Sequence, residues 1–181
     1  TVTMQYLIKT EIAGTPAWRL LAVDGSADIA HIAQLIALSF NYAEASQWFI
    51  VRDHTLNAGT GGEVKELSAL VSFDSLDLEE NDQFIYRNDA NPKLEQKVSV
   101  VKKTDHLFCL VPSCLVGSCS LPSGEGLNAD SINQYYDSES EPGINLKEIT
   151  QNMRALGAVR KNQSESLVSI SGEDLRYKTF S

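Results

Sequence analysis

Three cysteines and one histidine form the set with the most reactive side chains in this 181-residue sequence. His106 precedes Cys109 by three positions, and Cys114 and Cys119 follow at intervals of five. Thiolates and imidazoles are preferred ligands of Zn²⁺, so a loop that gathers them could bind the ion. Structural zinc sites, however, favour paired Cys-x-x-Cys spacings, which this sequence lacks. We therefore expect no metal and no cofactor, with Cys109 buried as a small hydrophobic residue.

Cys114 is also a conceivable nucleophile, with His31, His54 or His106 as its base. The sequence around it carries no signature of a cysteine enzyme, and only the fold could bring a histidine close. A pair of carboxylates for acid/base chemistry, Asp89 with Glu125, depends on geometry in the same way. These patterns favour a protein without enzymatic activity and leave the enzyme hypothesis open.

Charged and aromatic residues suggest a binding role instead. Arg19 follows Trp18 in a predicted strand and could pair with Asp89 or with a ligand anion. A salt bridge at the rim of the sheet is the simpler interpretation, because such pairs are common. Trp18 and Trp48 are either core anchors or the walls of a groove. The candidate binding residues are Trp18, Arg19, Asp89, Cys114 and Glu125.

Composition limits the class of protein and of partner. Hydrophobic residues make up 43% and charged residues 22% of the chain, which is typical of a globular domain. The formal net charge of −9 makes nucleic acid an unfavourable partner. No apolar run reaches the length of a membrane helix, and residues 1–4 lack the pattern of a signal peptide. An odd number of cysteines argues against a paired secreted framework, so we expect a cytoplasmic protein with reduced thiols.

The elements that must position these residues begin with a hairpin. Alternation predicts strands at Met4–Ile12 and Ala17–Val23. Ser26 is the expected N-cap of a helix that runs through Phe40 and has one apolar face. A third strand is predicted at Gln47–Arg52. This order predicts an α+β fold with a β-grasp-like mixed sheet, one main packing helix and a C-terminal helix.

The unusual residues are concentrated between Gln83 and Gly126. Two strands, Gln83–Arg87 and Val98–Lys103, are joined by a turn, and the loop Leu107–Gly126 follows. Glycine-rich Asn57–Gly62 lacks the ending of a phosphate loop and is interpreted as a hairpin connection. Asn128–Pro142 is expected to be irregular.

The C-terminal part of the chain is predicted to add a second helix. Asn145 is the expected N-cap of a helix at Leu146–Leu156, and Leu167–Ile170 is a possible strand. We therefore divide the chain into a core domain, residues 1–142, and a helix and tail, residues 143–181, packed on that core.

Four motifs resemble one known family. They are the segment Pro16–Arg19, the helix Ile29–Phe40 followed by an aromatic residue, the run from Phe84 to Val98, and the run from Pro112 to Gly126. Together they resemble the Ri-plasmid Orf-three-like family, also labelled transposon-passenger TnpR-like, over about residues 3–137. The resemblance implies no specific reaction.

The chain departs from the family pattern where polar residues would be expected. The family has an aromatic-Asp-Phe-Gly-Asp turn followed by Trp and His. Here the turn is Asn88–Pro92, with Leu94 and Gln96 after it, and only Asp89 remains. The family's Pro-Pro-Glu-Asp segment corresponds to Pro122–Gly126. The chain is thus expected to be a degenerate member.

The leading hypothesis is a non-enzymatic binding or interaction module. It would use the 83–126 hairpin and loop to contact an unknown protein or small molecule. One alternative is a small metal- or carboxylate-dependent hydrolase-like enzyme. Another is a transposon- or plasmid-associated DNA accessory protein.

Overall fold

A computed structural model describes residues 3–61 and 67–157 of the chain. The described part contains one seven-stranded sheet together with three α-helices, the last of which is given by its helical residues 146–157. The elements in chain order are β1 Gln5–Ile12, β2 Trp18–Asp24, α1 Ile29–Phe40, β3 Ser46–Val51, β4 His54–Thr60, β5 Gln83–Asn88, β6 Gln96–Thr104, β7 Ser113–Ser118, α2 Ala129–Asp137 and α3 146–157. Short 3-10 turns at Leu67–Leu70 and Phe73–Leu76 connect β4 to β5.

The order of strands in the sheet is β4-β3-β5-β6-β1-β2-β7, and all six pairings are antiparallel. The predicted α+β class is confirmed, whereas the predicted mixed sheet is wrong. Hairpins join β1 to β2, β3 to β4 and β5 to β6, and adjacent strands in a hairpin run antiparallel. The longer connections also return the chain antiparallel to its neighbours.

Helix α1 packs across one face of the sheet and supplies the centre of the core. The predicted apolar stripe is buried, from Ile29 through Ile32 and Ile36 to Phe40. Leu35 and Ala37 are buried as well, so the helix is covered on more than the sheet side. Phe73, from the connection between β4 and β5, lies in the same core and packs edge-on against Tyr6.

The start of α1 differs from the prediction by two residues. Asp28 is the N-cap, and its carboxylate accepts a hydrogen bond from the His31 amide at 2.7 Å. Ser26 instead donates its amide and its hydroxyl to the Asp24 carboxylate at 2.8 and 2.7 Å, inside the preceding turn. Serine and aspartate have similar preferences for the N-cap position, and the sequence pattern predicted Ser26 where the structure has Asp28.

Three elements lie where connections or irregular chain were expected. Strand β4 includes residues 57–60 of the predicted hairpin connection and forms one edge of the sheet. Strand β7 lies inside the predicted loop Leu107–Gly126 and forms the other edge. Helix α2 lies in the polar segment after Gly126, where Asn128 and Ser131 form a reciprocal capping box.

Helix α3 lies against β7 and the core. Asn145 caps it, with its side chain accepting from the Glu148 amide at 3.0 Å. Met153 is fully buried in the main core. The possible strand Leu167–Ile170 lies outside the described residues.

Candidate functional site

Arg19 is the largest fully buried side chain among the described residues, with 2% of its surface exposed. Its Nε donates to Ser39 O at 2.7 Å, in the last turn of α1. Its Nη1 donates to Trp18 O at 2.9 Å and to Ser118 O at 2.7 Å, and its Nη2 donates to Cys119 O at 2.9 Å. The guanidinium also lies 4.4 Å from the centre of the Phe40 ring. Arg19 is therefore held by backbone carbonyls and an aromatic ring, not by the predicted partner Asp89.

The surroundings of Arg19 are adapted to its side chain. A Cβ at Gly117 would lie 2.9 Å from Arg19 Cδ and 2.8 Å from Trp18 O, so only glycine fits beside the arginine. Burial lowers the pKa of Arg19. Main-chain carbonyls nevertheless accept hydrogen bonds from its guanidinium, a group that carries donors and no acceptor. Because its donors bond to main-chain oxygens, Arg19 stabilises the fold and does not face a ligand.

Cys114 and Cys119 lie near this arginine but are poor nucleophiles. Burial raises the pKa of the Cys114 thiol to about 11, and the Arg19 charge offsets only part of that rise. Burial and the charge of Glu141 raise the pKa of Cys119 in the same direction. A catalytic cysteine needs a lowered thiol pKa, so both thiols have the wrong electrostatics.

The three histidines do not complete a catalytic pair with Cys114. His54 begins β4, at the opposite edge of the sheet from β7, which at ~4.8 Å per strand places it roughly 29 Å away. His106 is exposed in the loop over the other face of the sheet from the Cys114 side chain. His31 lies in the first turn of α1, roughly 12 Å along the helix from Ser39, the residue that Arg19 contacts.

No group of three or more His, Cys, Asp and Glu side chains could hold a metal ion within residues 3–61 and 67–157. All three cysteines are free thiols. A surface pocket lined by Met4, Glu79, Glu80 and Lys103 contains none of the predicted site residues, and two of its lining residues, Lys103 and Glu79, form an ion pair of 2.9 Å.

Asp89 and Glu125 lie in segments that the fold does bring together. Gly126 N donates to Ala90 O at 2.8 Å, which joins the loop after β7 to the turn after β5. Buried Asn91 holds the same junction by donating Nδ2 to Gly124 O at 3.0 Å and accepting from Leu127 N at 3.1 Å. The side chains of Asp89 and Glu125 are both exposed, and Asp89 accepts from Trp48 Nε1 at 3.4 Å. Of the predicted site residues, Arg19 and Cys114 are therefore buried, Asp89 and Glu125 are exposed, and Trp18 is half-buried.

The loop between β6 and β7, residues 105–112, carries the most exposed apolar side chains. Leu107 is buried against Leu7 and Ala22, on the sheet face opposite α1. Phe108 and Leu110 point the other way, with 80% and 73% of their surface exposed. The expectation that Cys109 is buried is wrong, because its side chain is only partly buried. All five residues from Leu107 to Val111 are apolar, so the sequence pattern did not indicate which side chains would be exposed.

The sheet face opposite α1, here called the open face, presents a second unexpected feature. One cross-strand row contains Ile50, Ile85, Lys97, Glu11 and Trp18, in that order across five strands. The adjacent row pairs Trp48 with Arg87. The side chains of both rows are partly or largely exposed, so the described elements leave this part of the face open.

Comparisons with known proteins support the fold and add no function. No protein-family model matches the chain, and neither does any curated protein. Among solved structures, the chain is similar to MM3350, a protein of unknown function from Methanosarcina mazei Go1. The TM-score is 0.53 at 16% identity, and the match covers 77% of this chain and 85% of that one. At that identity the likeness shows a shared fold alone.

The described helices include none that is both long and apolar enough to cross a bilayer.

Proposed function

We propose that this chain is a non-enzymatic binding module, and that its contact surface lies in the 83–126 stretch. The observation that supports this proposal is the exposure of Phe108 and Leu110, at 80% and 73%. Large apolar side chains presented next to one another on a surface are typical anchors for a partner. They lie next to the open face, which the β5–β6 hairpin helps to form.

The alternative functions have weaker support in the described part of the chain. An enzyme with a cysteine nucleophile is disfavoured by the raised pKa of Cys114. The resemblance to the Ri-plasmid Orf-three-like family rests on the quoted motifs, and we propose membership as a degenerate relative. A β-grasp-like origin is likewise proposed from the order of hairpin, helix and strand. Free thiols support the proposal of a cytoplasmic location.

A selection from a randomised 12-residue peptide display library tests the binding function. Selected peptides should bind the double variant Phe108→Ser/Leu110→Ser at least tenfold more weakly than the wild type, because the apolar anchors are lost. Tyr136→Ser is the matched control, since Tyr136 is exposed at 45% on helix α2 and should not affect binding. A library that yields no binder, or binders that ignore the double variant, contradicts the proposed function.

A further inference from the structure

The open face carries a set of cations that the overall charge of the chain conceals. Lys9, Arg87, Lys97 and Lys102 occupy strand positions on it, by register with Leu20, Trp48, Ile85 and Leu7. Glu11 in β1 and Asp24 at the end of β2 are the carboxylates at strand positions of this face, by register with Trp18 and Gln5. Asp89 and Glu95 lie just outside the ends of β5 and β6. The strands therefore present a net positive surface on a chain whose formal charge is −9.

None of these four cations forms an ion pair within residues 3–61 and 67–157. The ion pairs found there join Arg52 to Asp82 and Lys103 to Glu79, and neither pair involves an open-face cation. Lys9 places its ammonium 5.0 Å from the centre of the Trp18 ring. Exposed and half-buried cations beside aromatic and aliphatic side chains favour an anionic partner that also carries apolar groups.

The apolar part of the face distinguishes between two kinds of anionic partner. Ile85 and Val116 are exposed at 40% and 45%, and they supply aliphatic rather than stacking surface. The Trp18 ring is covered in part by Lys9, and the Trp48 indole donates to Asp89. Single-stranded nucleic acid needs free aromatic faces on which successive bases stack, together with a basic groove. A peptide matches the mixture better.

We infer that the open face binds an acidic peptide segment in which carboxylates are interspersed among large apolar side chains. In this arrangement Arg87 and Lys97 contact the carboxylates, while Ile50 and Ile85 contact the apolar side chains. Phe108 and Leu110 extend the apolar surface at the side covered by loop 105–112. The inference rests on the proposed binding function and specifies the chemistry of its partner.

The experiment uses the full chain and the peptides selected from the 12-residue library. Selected sequences should contain at least twice the Asp and Glu content of the unselected library. Lys97→Glu and Arg87→Glu should each weaken their binding at least tenfold, because a repulsive charge replaces an attractive one. Lys147→Glu, an exposed charge reversal on α3, should leave affinity within twofold of the wild type.

Four outcomes overturn the inference, and the last of them leaves the proposed function standing. One is selected peptides without acidic enrichment, and another is equal binding by the charge-reversal variants and the Lys147 control. The third is tighter binding of a 15-nucleotide oligo(dT) than of any selected peptide in 150 mM NaCl, which would assign the face to nucleic acid. Peptides that depend on Phe108 and Leu110 but ignore Lys97 would overturn the inference alone and leave the proposed function standing.

Discussion

Arg19 shows how one residue can connect three elements without an opposite charge. Besides Trp18 in its own strand, its carbonyl partners are Ser39 in the last turn of α1, Ser118 at the end of β7, and Cys119 just beyond it. Helix α1 has no basic residue of its own in the last turn, so the guanidinium also complements the negative end of that helix. The partners are backbone atoms distant in sequence, and residue types alone therefore could not identify this role.

Replacing Arg19 should destabilise the fold strongly. Arg19→Met keeps much of the side-chain volume but leaves several buried carbonyls without donors, and we expect a loss of about 3 kcal/mol. Arg19→Lys retains the charge with fewer and differently oriented donors, so it should lose less than Arg19→Met. Urea unfolding at 25 °C measures the free energy of unfolding for each variant.

The matched control for Arg19→Met is Arg87→Met, which makes the same replacement at an exposed strand position. Its free energy of unfolding should stay within about 0.5 kcal/mol of the wild type. Equal stability of the Arg19 and Arg87 variants would mean that the carbonyl contacts of Arg19 contribute little.

At the scale of elements, β7 is an edge strand that helix α3 covers. Thr150 Oγ1 accepts from Cys114 N at 3.0 Å and lies 3.4 Å from Cys114 O, where it can donate. Arg154 adds donors to Pro112 O at 3.2 Å and to Ser113 Oγ at 2.9 Å. Uncovered edges offer unpaired backbone groups to other strands, so this helix protects one side of the sheet.

Thr150→Val should loosen α3 from the edge of the sheet. Valine has nearly the shape of threonine but cannot bond to either backbone group of Cys114, and we expect a loss of about 1–2 kcal/mol. Hydrogen exchange monitors the effect directly, because the Cys114 amide should lose protection. Chemical unfolding gives the accompanying change in free energy.

Gln151→Val is the control for the helix position, since Gln151 is the exposed neighbour on the same helix. It adds a β-branched residue to the helix, a cost that Thr150→Val does not add because threonine is already β-branched, so the control tests the helix more severely. If the Cys114 amide proton exchanges at the same rate in both variants, the Thr150 hydroxyl does not stabilise the edge strand.

Periodicity predicted the long elements well and the edges poorly. The stripe from Ile29 to Phe40 identified α1, because its burial follows directly from sequence spacing. Strand β7 was missed because its Ser, Cys and Gly residues are typical of loops, and pairing with β2 decides its structure. Helix α2 is polar with one buried residue, Ile132, so its capping box was the signal available.

The candidate site was harder to predict because it depends on pairing between distant strands. Trp18, Arg19 and Asp89 were predicted as binding residues from their types. In the structure Arg19 points into the core, whereas Trp18 lies on the open face. Lys9 and Lys97 are far apart in sequence and come together only because β6 pairs with β1. Register, not local pattern, creates the basic surface.

At the scale of the whole molecule, the charge is unevenly distributed. The open face collects cations, so the remaining surface is more acidic than the formal charge of −9 alone implies. The connection from Asp77 to Asp82 and the segment around Glu139 are two acidic regions on that remaining surface. Repulsion among such carboxylates opposes the compact state, because folding brings like charges together.

This repulsion predicts that sodium chloride stabilises the protein at pH 7. The Debye length falls from about 30 Å at 0.01 M to about 10 Å at 0.1 M salt, which screens distant carboxylates more than close contacts. The free energy of unfolding in urea should rise by roughly 0.5 kcal/mol over that range. The double variant Asp137→Asn/Glu139→Gln removes two exposed acids and should show a smaller rise. A loss of wild-type stability with added salt would show instead that attractive surface pairs outweigh the repulsion.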